Sequence, residues 1–183
     1  MNRPTDTRAA AEQKLEALID RQLDFVWRLM RRFGLSAADA DDATQTVFIV
    51  ASDRLEQIGA HSERSFLYGT ALRVCANARR IARRRREVAT LEPDIESPSP
   101  LPDDRLEHAR ATAVLDGLLT RLAVPLRRAF ILAELEQCSV SELAELEQIP
   151  VGTAASRLRR ARSRFRELLD AESPPNPFRE ADS

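Results

Sequence analysis

Two runs of arginine are the residues whose type and spacing most directly suggest a chemistry in this 183-residue sequence. Seven arginines and no acidic residue lie between Arg73 and Arg86, and six arginines and no acidic residue lie between Arg157 and Arg166. Guanidinium groups at this density can neutralise and hydrogen-bond the phosphates of a polyanion. The formal net charge is only −1, because acidic residues are concentrated elsewhere in the chain. This separation favours two nucleic-acid-binding surfaces, and the alternative is a set of solvated basic helix faces.

Residues that could support catalysis or hold a metal ion are few and scattered. His61 and His108 are far apart and lack the spacing of zinc ligands. Asp39, Asp41 and Asp42 could imitate part of a metal cluster, but an acidic helix start with a solvated face is the alternative. The sequence contains no glycine-rich phosphate loop and no nucleophile elbow. It therefore predicts a binding protein that has no cofactor and is not itself an enzyme.

The sequence also carries signals about the compartment in which the chain works. No apolar run approaches the roughly 20 residues that are needed to span a bilayer. The first eleven residues are polar and charged, unlike a secretory signal peptide. The two cysteines, Cys75 and Cys138, cannot form a disulfide framework. These signals indicate a soluble chain in a reducing compartment, without membrane insertion.

The elements that must position the arginines are predicted to be helices. With only 5 glycines and 5% aromatic residues, the composition argues against a β-sandwich or barrel and favours an all-α fold. Ser36 is a predicted N-cap, and Ser139 and Glu142 match a capping box. The spacing of apolar residues predicts helices over 15–33, about 37–54, from 65 onward, 106–122, from 125 onward, 139 to just before 150, and 151–169.

Proline divides the predicted helices into two small domains. Four prolines with acidic residues and serine lie between 92 and 104, where such a density prevents a continuous helix. The tail beyond 170 contains three more prolines and is predicted to be disordered. The predicted organisation is a first helical domain, an acidic Pro-rich linker, a second helical domain and a tail, at 12–86, 87–107, 108–170 and 171–183.

Two patterns predict how the arginine-bearing helices are oriented. In the third helix we expect an apolar stripe that faces the core, formed by Phe66, Thr70, Val74, Ala78 and Ile81. In the second domain, a short helix, a tight turn near 149–150 and a longer helix form a helix-turn-helix. The first turn of the longer helix can then enter a major groove. Its predicted outward residues are Thr153, Ser156, Arg157 and Arg160.

These segments resemble bacterial sigma factors of the extracytoplasmic-function class. The resemblance in the second domain is carried by SVSELA at 139–144 and PVGTAASRLRRAR at 150–162. In the first domain it is carried by DADDATQTVF at 39–48 and by SFLY at 65–68, which leads into an arginine-rich helix end. Together the similar segments cover roughly 15–86 and 108–169, in the order and at the separation that this class shows.

For the first domain, the resemblance implies two functional surfaces. Residues at the surface of the second helix would bind the clamp helices of core RNA polymerase: Asp39, Asp42, Gln45 and Phe48. The loop 57–64, with His61 and Arg64, would read a flipped-out base of the −10 element. The start of the third helix would lie near the melted strand, through Phe66, Tyr68 and Arg73.

For the second domain, the resemblance implies recognition of the −35 element as duplex DNA. The residues that would face this element are Thr153, Ala155, Ser156, Arg157 and Arg160. Further along the helix, Arg164 and Arg166 would meet phosphate or solvent. The implied partners are core RNA polymerase, promoter DNA and an anti-sigma factor.

The sequence departs from the family pattern at several positions. Phe66 stands where the family often has Trp, Asn77 where it has Asp, and Ala155 where it usually has Lys. Glu147 and Gln148 replace the usual Leu-Gly before the turn, and we expect Glu147 to be exposed. Two alternatives to a sigma factor stay open: a stand-alone helix-turn-helix regulator, and an inactive sigma-like interaction protein.

Overall fold

The computed structural model describes residues 4–59, 62–88 and 103–172. In these ranges every regular element is a helix, which confirms the predicted all-α fold. The chain divides into two compact units, 1–96 and 97–183. Most of the predicted linker, the predicted disordered tail beyond Glu172 and the predicted base-reading residue His61 lie outside the described residues.

Within the described residues, the first unit contains three helices: α1 (Pro4–Arg32), α2 (Ala37–Ser52) and α3 (Glu63–Val88). Gly34 has a φ of +87° in the connection after α1, a conformation that L-residues rarely adopt. The predicted N-cap of α2 is confirmed, because the Ser36 hydroxyl accepts a hydrogen bond from the backbone amide of Asp39. This cap fixes the start of the helix that carries the predicted polymerase-binding residues.

The core of the first unit forms where the apolar faces of α1, α2 and α3 meet. The buried apolar side chains from α1 and α2 are Leu18, Phe25, Val26, Leu29, Met30, Ala40, Ala43, Val47, Phe48 and Ala51. In α3 the predicted stripe is confirmed at Thr70, which is buried, and wrong at Ile81, which is exposed. Phe66, Val74 and Ala78 are half-buried, and the buried apolar side chains lie beside them: Leu67, Tyr68, Ala71 and Cys75. The small side chains of Ala71 and Cys75 let neighbouring helices approach closely, since interaxial distance depends on side-chain size at the contact.

Over 103–172, the part of the second unit that the structure describes, there are four α-helices: α4 (Asp103–Arg121), α5 (Val124–Phe130), α6 (Val140–Glu147) and α7 (Val151–Glu172). A π-helical turn (Ile131–Leu135) continues α5. The rings of Phe130 and Phe165 stack with their centroids 4.3 Å apart and join α5 to α7. The predicted inward stripe of α7 is confirmed for its aliphatic members, because these are buried: Ala154, Leu158, Ala161 and Leu168.

The short helix α6 has a local determinant at each of its ends. At its start, the predicted capping box of α6 is confirmed: Ser139 accepts from the Glu142 amide, and the Glu142 carboxylate accepts from the Ser139 amide at 2.8 Å. At its end, Gln148 adopts the left-handed conformation, with φ 52° and ψ 48°. A left-handed residue commonly ends a helix, but glycine is the residue that does so without strain.

Replacing Gln148 by Gly is expected to raise the free energy of unfolding of the second unit by about 1 kcal/mol, because the left-handed strain of a Cβ-bearing residue is removed. Urea titration followed by circular dichroism measures this change. Gln148→Ala is the matched control, since alanine keeps its Cβ and with it the strain. Equal midpoints for the Gly and Ala variants would contradict this account. The urea midpoint reported by the fluorescence of Trp27, in the first unit, is expected to be the same in all variants.

Candidate functional site

A groove in the first unit runs between α1 and α2. Each wall is a ridge of side chains spaced four residues apart, which places them on one face of a helix. The groove has a volume of about 600 Å³. Its lining residues are Leu15, Ile19, Leu23, Asp24 and Trp27 from α1, and Asp41, Thr44, Gln45, Phe48, Ile49 and Ser52 from α2.

The groove combines an apolar surface with a few polar atoms. Leu23 is 43% exposed and Ile49 is 55% exposed, although both are large apolar side chains. Trp27 Nε1 donates a hydrogen bond of 2.7 Å to Asp41 Oδ1 across the groove. The Thr44 hydroxyl oxygen is buried and has no hydrogen-bond partner in the described chain. Such a surface suits an amphipathic helix that carries a few polar groups.

The structure places the predicted polymerase-binding residues in three different environments. Asp42 and Gln45 are exposed on α2, and Gln45 also lines the groove. The Asp39 carboxylate accepts a hydrogen bond of 2.7 Å from the Ser36 hydroxyl, so it is engaged at the start of α2. Phe48 is only 7% exposed, and its prediction as a surface residue is wrong. Because it packs into the core, Phe48 offers a partner only the part that lines the groove.

The residues predicted to contact the −10 region also differ in their exposure and in their contacts. Arg73 is exposed and donates a hydrogen bond of 3.1 Å to the Thr70 hydroxyl, and Phe66 is half-buried. Tyr68 is only 1% exposed, so its ring lies in the core and is not available to stack on a base. The Arg64 guanidinium lies over the Phe25 ring, 4.2 Å from its centroid. The predicted contact with DNA is therefore wrong for Tyr68 in this conformation, and Arg64 is held by the fold.

One face of α7 gathers the residues predicted to meet the −35 element. Thr153, Arg157, Arg160 and Arg164 follow i, i+4, i+7, i+11 spacing, which aligns them along the helix. Arg160 and Arg164 are exposed, whereas Thr153, Ser156 and Arg157 are half-buried. The Ser156 hydroxyl donates a hydrogen bond of 3.0 Å to the Thr153 carbonyl of its own helix. Thr153, Ser156, Arg157 and Arg160 thus lie together on one basic surface, whereas the predicted contact residue Ala155, two positions after Thr153, is exposed on another side of the helix.

Two arginines on this face have acidic neighbours. Arg157 Nη1 lies 3.6 Å from Glu147 Oε2, and Arg128 Nη1 lies 3.9 Å from Glu147 Oε1. The Glu147 side chain is only 6% exposed, so the prediction that it is exposed is wrong. Further along α7, Arg164 Nη1 lies 2.8 Å from Glu167 Oε2, and this hydrogen bond is the main cause that lowers the pKa of the Glu167 carboxyl.

Comparison with known proteins reveals the same two-part organisation. Residues 18–86 match the family model of sigma-70 region 2, and residues 113–165 match that of sigma-70, region 4. The chain is 32% identical over 163 residues to the ECF RNA polymerase sigma factor SigC of Mycobacterium tuberculosis, with 86% of this chain and 83% of SigC covered. The chain belongs to the extracytoplasmic-function family of sigma factors. This confirms the predicted family and the prediction that the chain is not an enzyme.

This sigma factor covers a smaller share of two other relatives than it covers of SigC. It is 26% identical over 166 residues to the ECF RNA polymerase sigma factor SigE of Mycolicibacterium smegmatis, covering 90% of this chain and 65% of SigE. It is 34% identical over 112 residues to the ferric citrate uptake sigma factor FecI of Escherichia coli, covering 60% of this chain and 64% of FecI. The chain therefore spans slightly less than two thirds of each of these relatives.

Solved structures show the same fold as this sigma factor. The structure of CnrH in complex with the cytosolic domain of CnrY matches with a TM-score of 0.68 at 23% identity, over 91% of this chain and 98% of that one. The sigma factor RpoE in complex with the anti-sigma factor NepR from Bartonella quintana matches with a TM-score of 0.54 at 18% identity, over 92% of this chain and 99% of that one. These likenesses support the helical fold.

Sequence reasoning missed the α1 wall of the groove in this sigma factor. Leu15, Ile19, Leu23 and Trp27 follow strict i, i+4 spacing, and this spacing was the signal. The ridge lies beside the core stripe of the same helix, and by apolar spacing alone the two sets of residues form one broad apolar face. Among the described residues, no group of three or more potential ligands could hold a metal ion, and no helix is long and apolar enough to cross a membrane.

Proposed function

We propose that this chain binds core RNA polymerase through its first unit and directs transcription initiation at specific promoters in the bacterial cytoplasm. The observation that carries the proposal is the presence of region 2 and region 4 matches in order in one chain. A groove for a protein helix and a basic helix-turn-helix face accompany these two matches. The chain recognises the promoter, and the polymerase performs the chemistry.

The groove between α1 and α2 supports binding to a helical part of the polymerase. Its exposed apolar side chains, Leu23 and Ile49, offer area that an amphipathic helix would bury. Asp42 and Gln45 lie on the exposed side of α2, where they can accept hydrogen bonds from basic or polar residues of the same partner. The partner would thus contact both the apolar groove and the polar surface of α2.

The two arginine-rich helices support binding to promoter DNA. Thr153 and Arg157 lie in the first two turns of α7, the part of a helix-turn-helix that reads base edges, and Arg160 and Arg164 follow on the same face, where they would meet phosphates of the DNA. On α3, Phe66 and Arg73 retain exposed surface for a melted −10 strand. Duplex recognition at the −35 element and single-strand recognition at the −10 element are therefore assigned to different units.

An anti-sigma factor is proposed as a further partner. Of the two solved structures with this fold, one is a complex of the sigma factor RpoE with the anti-sigma factor NepR, and the other is a complex of CnrH with the cytosolic domain of CnrY. The exposed apolar groove of this chain suits a helix of such a protein as well as a helix of the polymerase. In that case the two partners would compete for the groove.

Reconstitution with core polymerase from the same bacterium tests the proposed function. The chain is expected to co-purify with core polymerase and to give run-off transcripts from a promoter selected out of a randomised pool. Binding to duplex DNA with no association with the polymerase would indicate a stand-alone regulator. Association without transcripts from any selected promoter would indicate an inactive interaction protein.

A further inference from the structure

Glu147 lies at the end of α6, immediately before the turn of the helix-turn-helix. Its side chain is 6% exposed, although a carboxylate is costly to bury without compensation. Two arginine side chains provide that compensation, at 3.6 Å from Arg157 and 3.9 Å from Arg128. The three charges form a cluster with Glu147 in the middle and a net charge of +1.

The geometry of this cluster restricts the orientation of the Arg157 side chain but leaves some of its N–H donors available. Glu147 lies near one terminal nitrogen, Nη1, while the Arg157 side chain stays 30% exposed. A guanidinium carries five N–H donors in a planar fork, so donors remain for a second acceptor. A free arginine side chain on a helix surface samples many rotamers, and fixing it on DNA costs conformational entropy. An ion pair with a carboxylate 3.6 Å from Nη1 favours one orientation of the guanidinium and lowers this cost for that orientation.

We propose that Glu147 is a positioning residue that orients Arg157 for base recognition and so sets the specificity of the −35 contact. This rests on the proposed function, in which Arg157 reads a base edge. Arginine discriminates guanine through two N–H groups directed at O6 and N7, and this discrimination depends on the orientation of the fork. Glu147 also places a negative charge beside the DNA-facing surface, which weakens binding to every sequence.

Two opposite effects follow from the removal of the carboxylate. In Glu147→Leu, an apolar side chain fills the nearly buried position, and Arg157 loses its acidic neighbour. Discrimination at the base that Arg157 reads is expected to fall by about 5- to 10-fold, a part of what one bidentate arginine contact provides. Affinity for non-cognate DNA is expected to rise, with a steeper salt dependence, because a negative charge has gone. A merely structural role would change binding to all sequences by the same factor.

The experiment uses holoenzyme assembled from the full chain and core polymerase. It measures binding to promoters that differ by single bases in the −35 element, with a constant −10 element, at two salt concentrations. The variants are Glu147→Leu, Glu147→Gln, Arg157→Ala and the double variant Glu147→Leu/Arg157→Ala. Glu147→Gln keeps the shape and an acceptor oxygen, so it is expected to retain part of the discrimination. In the double variant, base preference is expected to equal that of Arg157→Ala.

Each result supports or overturns the proposal. Lower discrimination together with stronger non-cognate binding in Glu147→Leu supports it. Unchanged discrimination in Glu147→Leu, while Arg157→Ala relaxes it, overturns the role of Glu147 and leaves the proposed function intact. Unchanged base preference in Arg157→Ala overturns both the role of Arg157 and that of Glu147. If Glu147→Leu fails to fold, as judged by circular dichroism, Glu147→Gln decides instead. A smaller loss of base discrimination in Glu147→Gln then supports the proposal, and unchanged discrimination overturns it.

Discussion

Replacement of both Asp42 and Gln45 by alanine is expected to weaken binding to core RNA polymerase by at least about tenfold. Both side chains are exposed on α2, and neither forms a hydrogen bond or ion pair with another described side chain. They are therefore available to a partner. One hydrogen bond to a charged group contributes about 1.5–3 kcal/mol, and 1.4 kcal/mol is a factor of ten. Titration of core polymerase with labelled chain measures the dissociation constant.

The matched control for this double variant is Thr46→Ala. Thr46 is also exposed on α2, but its hydroxyl donates a hydrogen bond of 2.9 Å to the Asp42 carbonyl of the same helix. Its removal is expected to leave polymerase binding unchanged. Circular dichroism should show equal helix content for all three proteins. An unchanged dissociation constant for the double variant would show that this face of α2 does not contact the polymerase.

Most of the helices could be predicted because their signals are local. Ser36 and Ser139 are capping residues whose hydrogen-bond partners lie three residues along the chain. The inward residues of α7, such as Leu158 and Ala161, repeat with the helical period and are all on one face. Caps and periodicity depend on neighbours in sequence, so they can be recognised without the tertiary structure.

The orientation of α3 could not be predicted by the same reasoning. Two stripes compete on this helix, one through Phe66 and Val74 and one through Leu67, Ala71 and Cys75. The first stripe contains larger side chains, but the second is buried because its small residues allow close packing against the neighbouring helices. Tyr68 is buried in the core together with the second stripe, so its ring is not available for the predicted contact with DNA.

The environment of Glu147 depends on contacts that are distant in sequence. A glutamate before a turn is ordinarily solvated, and this led to the wrong prediction. Arg128 on α5 and Arg157 on α7 lie 19 and 10 residues away in sequence, and the fold brings both to the same carboxylate. Only the packing of three helices explains how this acid is accommodated where exposure is 6%. The groove between α1 and α2 is likewise a property of two helices together.

Replacement of Arg157 by alanine is expected to cost about 1–3 kcal/mol of binding on the cognate −35 element and to relax preference at one base position. Arg157 lies in the second turn of α7, near its N-terminal end, which is the end that a helix-turn-helix inserts into the major groove. In the proposed function, the loss of Arg157 removes a base contact, and it also removes one of the two arginine side chains next to Glu147. The affinity for non-cognate DNA is expected to change much less.

Arg164 offers a comparison on the same face of the same helix. It lies seven residues after Arg157, which is about 10.5 Å along the axis, beyond the turns that reach base edges. It is exposed and paired with Glu167 at 2.8 Å, an i, i+3 surface pair that contributes little to stability. Arg164→Ala is therefore expected to weaken binding to all sequences about equally and to reduce the salt slope by about one.

The two variants together determine the orientation of α7 on DNA. Holoenzymes that carry Arg157→Ala or Arg164→Ala are compared on single-base variants of the −35 element at two salt concentrations. A base-dependent loss for Arg157 and a uniform, salt-dependent loss for Arg164 place the N-terminal end of α7 in the groove. The reverse assignment of the two effects would place the C-terminal part there. If neither variant changes binding, the arginines form only a solvated surface, because phosphate contacts and base contacts each leave a measurable signature.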